Sequence, residues 1–327
     1  MPSSMTHTYF SNDVYNTLPP TCQKKVIKTS YYYLAAQGAD PLMFYNFFIG
    51  PKSNYYKNLQ HLIHTTNTRD YFLNLINYIH KNKLEKNKQV MSYLYGNICH
   101  YYLDLNTHPL IFYKTGLFQK GKKDTYKYNS LHALMEYTID CYYIDKNENI
   151  SPQKFPIWKH IFTYKPFSKE LTDTINYVFD KTYNIKNITR HYIKSIKDMQ
   201  LFFKYINYDK YGLKLKVYKL INHLTPASTP NLSVLSYANN YKKNLNYLNL
   251  SNKTWNHPTN YQEKYKSSFN ELYQKAKKEA SQAIIDVTTM LDNKHLNQTK
   301  LKLIFQNISY TTGKDCTLEE NFKYFEF

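Results

Sequence analysis

Two short stretches of the chain combine imidazole and carboxylate side chains at a spacing that can bind a metal. His100 and Asp104 are four residues apart, and so are His132 and Glu136. On a helix, residues at i and i+4 lie on one face, about 5–6 Å apart at Cβ. Two such faces brought together, with His108 close by in the sequence, would present imidazole nitrogens and carboxylate oxygens, which are typical zinc ligands. The spacing therefore suggests a metal-dependent hydrolase.

Spacing alone leaves a simpler interpretation open. With 12 His and 24 acidic residues, a His followed by an acidic residue at i+4 is expected about once by composition, and exposed pairs of this kind often only stabilise a helix. Here the pattern occurs twice within residues 100–136. A complete zinc site needs more ligands than these pairs supply. The N-terminal part of the chain offers four further candidates: His7, Asp40, His61 and His64.

The elements that must position these residues are predicted to be helices. Of the 327 residues, 42% are apolar, which is enough for a sizeable core, and 7 Gly and 12 Pro are few for an all-β protein. We predict an all-α, multi-helix bundle with a zinc cluster between helices, and a single domain over residues 1–327. Its ligand-bearing half would be 1–145, and 146–327 would supply supporting helices. Apolar spacing predicts helices over 21–36, 55–64, 68–82, 87–105, 130–144, 168–183, 186–207, 210–223, 232–249, 266–292 and 297–307.

Punctuating residues predict where three of the helices begin or end. Gly38 can supply a left-handed C-terminal cap, and Pro41 then prevents continuation of the first helix. Ser130 is a suitable N-cap for the helix that carries His132. Pro109 is unfavourable inside a helix, so the helix carrying His100 should end near residue 107, with His108 in the following loop.

Charge favours a polyanionic partner but does not identify one. The formal net charge is +19, from 43 basic and 24 acidic residues, which suits nucleic acid or anionic lipid headgroups. The lysines are spread along the chain, so a lysine-rich surface without a specific partner is an equally good interpretation.

Cysteine usage and hydropathy indicate a reduced protein without a membrane span. The four cysteines are far apart and form no C-x-x-C pair, which is typical of free thiols. No stretch reaches the roughly 18–20 apolar residues of a transmembrane helix. The N-terminus also lacks the basic and apolar regions of a signal peptide. We therefore expect a cytoplasmic protein.

The order of the candidate ligands resembles the zinc-dependent phospholipase C family and its relatives, the zinc single-strand nucleases. The resemblance covers about the first 145 residues, and the ordered set is more specific than any of its pieces. The matching pieces are Met1-Pro-Ser-Ser-Met-Thr-His7, Gln37-Gly-Ala-Asp40-Pro, His64 near the end of a helix, Gly96-Asn-Ile-Cys-His100-x-x-x-Asp104-x-x-x-His108-Pro, and His132-x-x-x-Glu136.

This resemblance implies an all-helical fold with two to three zinc ions per chain. One zinc would be held by Asp40, His64, His100 and Asp104, and a second by His108, His132 and Glu136. The third would be held by His7, a bridging Asp104 and the N-terminal residue, which is Pro2 if Met1 is removed. The gap from Asp40 to His64 is long, so His61 is an alternative to His64. Secreted family members begin with Trp, whereas this chain has neither a Trp nor a signal there.

The implied activity is phosphodiester hydrolysis by metal-activated water, with a phospholipid or another small phosphodiester as substrate. Asp40 is the candidate general base or water-orienting group. Asp140, which shares a helix face with Glu136, would either orient a ligand imidazole or be solvated. Two alternatives remain open: a nuclease that cuts single-stranded nucleic acid, and a non-catalytic helical module with structural zinc.

Overall fold

The computed structural model describes residues 4–48 and 54–326, and most of these lie in helices. A two-stranded antiparallel sheet pairs β1 (Trp255–His257) with β2 (Asn260–Tyr265). The all-α prediction is therefore confirmed. The α-helices are α1 (Ser4–Thr17), α2 (Pro20–Gln23), α3 (Tyr33–Ala35), α4 (Asn54–Thr65), α5 (Thr68–Lys81), α6 (Lys88–Thr115), α7 (Leu131–Glu148), α8 (Ile157–His160), α9 (Lys169–Tyr183), α10 (Ile188–Phe202), α11 (Leu213–Leu224), α12 (Phe269–Asp292) and α13 (Gln298–Ile304).

Helix α6 runs through the centre of the molecule. It begins at Asn87, whose side chain accepts hydrogen bonds from the backbone N–H groups of Gln89 and Val90. Apolar residues occur all around it, as expected of a buried helix. It packs against α12 along much of its length and also contacts α1, α3, α7 and α9. Because of this central position, α6 can hold functional side chains at fixed distances from the helices around it.

The predicted end of this helix near residue 107 is wrong, because α6 continues through Pro109 to Thr115. A proline inside a helix removes one hydrogen bond and costs about 3 kcal/mol. Here the freed carbonyl, that of Leu105, is closely approached by Gly313, where an added Cβ would lie 2.8 Å from that oxygen. Gly313 also has a left-handed φ of +66°. Packing of α6 along its whole length thus outweighs the local preference of one proline, and His108 lies on the helix.

The prediction of a first helix over 21–36 is also wrong. The first helix of the described residues is α1, which sequence analysis missed because its Ser, Thr and Asn residues give no clear apolar periodicity. The segment predicted as one helix is divided into α2, a π-helical turn (Lys28–Tyr32) and α3. Gly38 does take the predicted left-handed conformation, with φ +54°, and a 3₁₀ helix (Asp40–Phe44) follows it.

Most of the other predicted helices are present, with shifted ends. Helix α7 extends to Glu148, past the predicted 144, and the predicted helix 232–249 consists of two 3₁₀ segments, Leu232–Leu235 and Tyr241–Leu248. Buried apolar residues from both halves of the sequence share one core. The single-domain assignment stays a prediction. Among the described residues, no helix combines the length and the hydropathy that a membrane span needs.

Candidate metal centre

One face of α6 carries three of the candidate ligands. His100, Asp104 and His108 succeed one another at intervals of four residues, so the helix presents them in one row. The Nε2 atom of His100 lies 3.2 Å from Oδ2 of Asp104, and Nδ1 of His108 lies 4.0 Å from the same oxygen. Asp104 is 3% exposed and His100 is 1% exposed. The row is therefore sealed from solvent at its N-terminal end.

Asp40 and His64 reach this row from two other elements. His64, near the end of α4, places its Nε2 atom 3.1 Å from Nε2 of His100 and 3.6 Å from Oδ2 of Asp104. The same nitrogen lies 3.3 Å from Oδ1 of Asp40, at the start of the 3₁₀ helix. Gln60 donates a hydrogen bond to that carboxylate oxygen at 3.0 Å. Four side chains that are distant in sequence thus converge on one small volume.

Gly38 allows the ring of His100 to lie close to the backbone that precedes Asp40. A Cβ added at this position would lie 2.3 Å from Cδ2 of His100, and its left-handed backbone conformation also disfavours other residues. The ring of His100 therefore rests directly on the backbone that leads into Asp40.

Helix α1 contributes His7, and a buried carboxylate of α7 fixes the start of α1. Asp140 accepts hydrogen bonds from the backbone N–H of Met5 and from the N–H and hydroxyl of Thr6, at 3.2, 2.7 and 2.6 Å. Tyr237 donates a fourth at 2.9 Å. Both interpretations of Asp140 from the sequence are therefore wrong. It is fully buried instead of solvated, and its hydrogen bonds are to α1 and Tyr237 instead of a ligand imidazole.

With its helix held in this way, His7 completes the buried end of the row. Its Nε2 atom lies 3.3 Å from Oδ1 of Asp104, the carboxylate that also faces His100 and His64 through its other oxygen. The imidazole of His7 stacks on that of His100, with ring centroids 4.7 Å apart. Asp104 therefore lies between two sets of ligands. This is the geometry that a bridging carboxylate requires.

Helix α7 supplies the last pair. His132 and Glu136 are one turn apart, with Nε2 of His132 3.2 Å from Oε1 of Glu136. The Nε2 atom of His108, from α6, lies 3.8 Å from the same oxygen. Glu136 is completely buried, whereas the side chain of His132 is 32% exposed. This end of the site is therefore open to solvent through His132.

The described residues thus form three groups in which the ligand atoms lie within 4.8 Å of one another. The structure brings together all the sequence-predicted ligands that it describes, and it places His64, not the exposed His61, in the cluster. Pro2 and its proposed role as a ligand lie outside the described residues. The three groups are His7 with His100 and Asp104, Asp40 with His64 and His100, and His108 with His132 and Glu136.

Backbone carbonyls fix the tautomer of three of the histidines. The Nδ1 atoms of His64, His100 and His108 lie 2.8, 3.2 and 2.9 Å from the carbonyl oxygens of residues 60, 36 and 310. A carbonyl can only accept, so each Nδ1 carries a hydrogen and each Nε2 is left to bind a cation. The Nε2 atoms of His64 and His100 face each other at 3.1 Å. Two neutral imidazoles would place lone pairs in contact there, so the arrangement requires a positive charge between them.

Electrostatics in the metal-free protein place that charge on His64. Burial alone would lower the pKa of His64, but hydrogen bonds to Asp104 and Asp40 outweigh it and raise the pKa to about 9. Burial lowers the pKa of His100 to about 4, because the attraction of Asp104 does not offset it fully. For Asp40, burial acts to raise the pKa, but His64 and His100 hold it below its ordinary value. A metal would replace the proton on His64, as metal binding to imidazole generally does.

The buried carboxylates give a second reason why the site fits a metal. Asp40, Asp104 and Glu136 are at most 4% exposed, and burying carboxylates is costly unless positive charge lies beside them. Among the described residues, their ion-pair partners are all histidines. A metal cation held between these side chains would add positive charge beside all three carboxylates. Nitrogen and carboxylate donors in these numbers are the ligand set that zinc prefers.

A cleft of about 620 Å³ leads inward from the surface toward the groups of candidate metal ligands, which we call the metal groups. Its floor includes Asp40, His64, His108 and His132. Sequence analysis missed its C-terminal wall, because all the candidate site residues that it identified lie in the first 145 residues. That wall comprises Thr311, Glu320 and Phe322, and the remaining apolar and aromatic lining comprises Met43, Phe112, Leu117, Phe118 and Tyr128.

Fold and site together define an all-α protein with a histidine–carboxylate metal centre between its helices. The family model for zinc-dependent phospholipase C matches residues 6–185, which is more than half of the chain and contains every described ligand candidate. The chain therefore belongs to the zinc-dependent phospholipase C family, and its general function is that of a zinc-dependent, phospholipase C-like hydrolase. No curated protein and no solved structure matches the chain significantly.

Proposed function

We propose that this protein hydrolyses a phosphodiester bond of a phospholipid in the cleft above the metal groups. The observation that carries the proposal is the position of two of these groups, which reach the floor of a cleft with apolar walls through Asp40, His64, His108 and His132. A cleft of about 620 Å³ lies within the usual range for small-molecule sites. Its dimensions and chemistry suit a phosphate group flanked by apolar substituents.

Two to three zinc ions would be bound by the residues named above, and the three groups differ in access. His7 and His100 are at most 4% exposed, so their group is enclosed and holds the structure of the centre. The groups that contain His64 and His132 line the cleft, where a substrate phosphate can reach them. Zinc in these positions would supply a nucleophile by lowering the pKa of water and would stabilise the charge on the phosphoryl oxygens.

The protein's own side chains then orient the reactants. Asp40 lines the cleft, and Gln60 and His64 hold its carboxylate at 3.0 and 3.3 Å. Its pKa is below the ordinary value, so it is ionised at neutral pH and can accept a hydrogen bond from a water molecule in the cleft. The aromatic walls exclude bulk water and strengthen these interactions.

The lining favours a phospholipid over a polynucleotide. Proteins that track single-stranded nucleic acid do so with a positively charged groove. The formal net charge of the chain is +19, but among the described residues that line this cleft Lys57 is the one lysine. The walls are formed instead by Phe112, Phe118 and other apolar residues, which suit a glyceride. The positive charge therefore lies elsewhere on the surface.

The test combines zinc content with a substrate panel, on protein with an unmodified N-terminus. We expect two to three zinc ions per chain and hydrolysis of a short-chain phosphatidylcholine in preference to a single-stranded oligonucleotide. His64→Ala should lose zinc and activity. His61→Ala is the matched control, because His61 lines the same cleft from the same helix but lies outside the metal groups. Equal loss in both variants, faster cleavage of the oligonucleotide, or folded protein without zinc would each contradict the proposal.

A further inference from the structure

Helix α11 has an apolar face that nothing in the described structure covers. None of its residues is buried, which sets it apart from the other long helices. The exposed fractions are 61% for Leu213, 53% for Val217, 60% for Leu220, 36% for Ile221 and 74% for Leu224. Large apolar side chains scattered singly over a surface are ordinary, but a contiguous patch of them usually marks an interaction site.

These five side chains form one stripe along the helix. At about 100° per residue, they occupy an arc of about 100°, and the stripe faces solvent. The opposite face attaches the helix to the protein: the Tyr218 hydroxyl donates to the carbonyl of Ile206, and the Asn222 side chain accepts from the N–H of Leu232. The stripe is therefore displayed on a fixed helix.

The charged side chains of the α11 segment are all positive. Residues 210–224 contain Lys210, Lys214, Lys216 and Lys219 and no acidic residue. The nearest acidic residue in the sequence, Asp209, is 4% exposed, lies beside Lys214 and accepts from the backbone N–H groups of Lys214 and Leu215, so Lys216 and Lys219 carry the positive charge beside the stripe. An apolar stripe with lysines beside it is the pattern of a helix that lies in the interfacial region of a bilayer. Anionic headgroups provide the complementary charge.

The segment after α11 is bonded to the rim of the metal cleft. The side-chain amide of Asn129 donates to the carbonyls of Ala227 and Thr229, at 2.8 and 2.7 Å, and the N–H of Asn231 donates to the hydroxyl of Ser130. Ser130 itself lines the cleft. The C-terminal end of the stripe is thus connected through a few residues to the cleft mouth.

We propose that α11 docks the protein on an anionic phospholipid bilayer, with its apolar stripe inserted among the headgroups and its lysines on lipid phosphates. The inference deepens the proposed function, because it names the surface from which the cleft would draw a phospholipid. Docking by α11 keeps the cleft mouth near the bilayer. Binding should weaken as salt rises, since the lysines contribute through screened charge interactions.

The test measures vesicle binding and soluble hydrolysis separately. Sedimentation with vesicles of mixed phosphatidylcholine and phosphatidylserine should pellet the wild-type protein more strongly than sedimentation with vesicles of phosphatidylcholine alone. Leu220→Ser/Leu224→Ser should weaken binding by about tenfold or more for each leucine, since burying one leucine contributes at least that much. Lys216→Glu/Lys219→Glu should abolish the preference for phosphatidylserine. The matched control is Leu250→Ser/Leu303→Ser, which removes two exposed leucines away from α11.

Hydrolysis of a short-chain phosphatidylcholine below its micellar concentration separates this inference from the proposed function. The α11 variants should hydrolyse this soluble substrate at the wild-type rate while losing activity on vesicles. If vesicle binding depends on α11 but the protein hydrolyses neither substrate, the docking proposal is supported and the proposed activity is contradicted. Wild-type vesicle binding by both α11 variants would overturn the docking proposal. So would a dimer that dissociates on Leu220→Ser/Leu224→Ser and binds no vesicles, because the stripe would then bind a second copy of the chain.

Discussion

Replacement of Asp140 tests whether a carboxylate outside the metal groups positions His7, a candidate ligand in one of them. Asp140 contacts no imidazole among its hydrogen-bond partners, yet it accepts from the backbone N–H groups of Met5 and Thr6 in the first turn of α1, directly before His7. In Asp140→Ala these donors lose their acceptor. We expect the start of α1 to detach, and His7 to leave Asp104 with it. The group that contains His7 should then lose its metal, while the group of His108, His132 and Glu136 keeps its own.

The magnitude follows from the contacts that disappear. Four hydrogen bonds end on Asp140, and a buried N–H left without an acceptor costs about 1–3 kcal/mol. The backbone N–H groups of Met5 and Thr6 are both buried. Removing a buried carboxyl recovers part of this, because burial raises the pKa of Asp140 to about 7, which shows that its ionised form is poorly solvated. We expect a net loss of about 2–4 kcal/mol in the free energy of unfolding.

Urea denaturation and zinc analysis on the same preparations provide the measurement. Asp145→Ala is the matched control, because Asp145 lies on the same helix with a side chain 39% exposed. Its removal should cost at most about 1 kcal/mol and no zinc. If Asp140→Ala unfolds at the control's urea concentration, or keeps every zinc ion, then Asp140 does not position His7 and the argument fails.

Three further predictions rest on single contacts. His132→Ala and Glu136→Ala should each lose about one zinc ion and most activity, while their circular dichroism spectra stay helical. Full zinc retention in both variants would exclude the two residues as ligands. Gly96→Ala should lower the free energy of unfolding by about 1–3 kcal/mol in urea denaturation, because the new Cβ would lie 2.6 Å from the carbonyl oxygen of Tyr32. The free energy of unfolding of the wild-type protein should depend on pH through Asp140, and Asp140→Asn should remove that dependence. Burial raises the pKa of Asp140 above that of the unfolded chain, so its contribution is full below about pH 4 and is lost as the pH rises toward 7, by up to about 1.4 kcal/mol per pH unit. The urea midpoint of the wild type should therefore fall relative to that of Asp140→Asn from pH 5 to pH 7.5, and parallel profiles would contradict this.

The sequence predicted best what depends on short-range spacing. His132 and Glu136 lie on one turn of α7, so their pairing follows from helix geometry alone. The left-handed conformation of Gly38 was likewise predictable from residue type. The convergence of Asp40 and His64 on His100 could be reached only through the resemblance, because no local rule relates residues on three separate elements.

The failures share a physical cause, which is that packing overrode local preference. Pro109 should have ended α6, but contacts along the helix, above all with α12, outweigh that local preference. Helix α1 lacks an apolar stripe, yet it is buried on most sides and capped by Asp140 from another helix. The continuation of α6 and the formation of α1 both depend on residues more than one hundred positions away in the sequence. No short segment of the sequence contains those residues together with the helix.

Residue 310 shows that the second half of the chain belongs to the metal centre as well. The N–H of Tyr310 donates to the carbonyl of His64 at 2.8 Å, and its own carbonyl accepts from Nδ1 of His108 at 2.9 Å. Its ring packs edge-on against His64, with centroids 5.0 Å apart. One backbone unit thus orients a ligand of each of two metal groups, although it lies well outside the 6–185 match to the family. Since ligands held by such outer contacts bind metal more tightly, the geometry of this centre depends on the C-terminal segment as much as on the ligand motifs themselves.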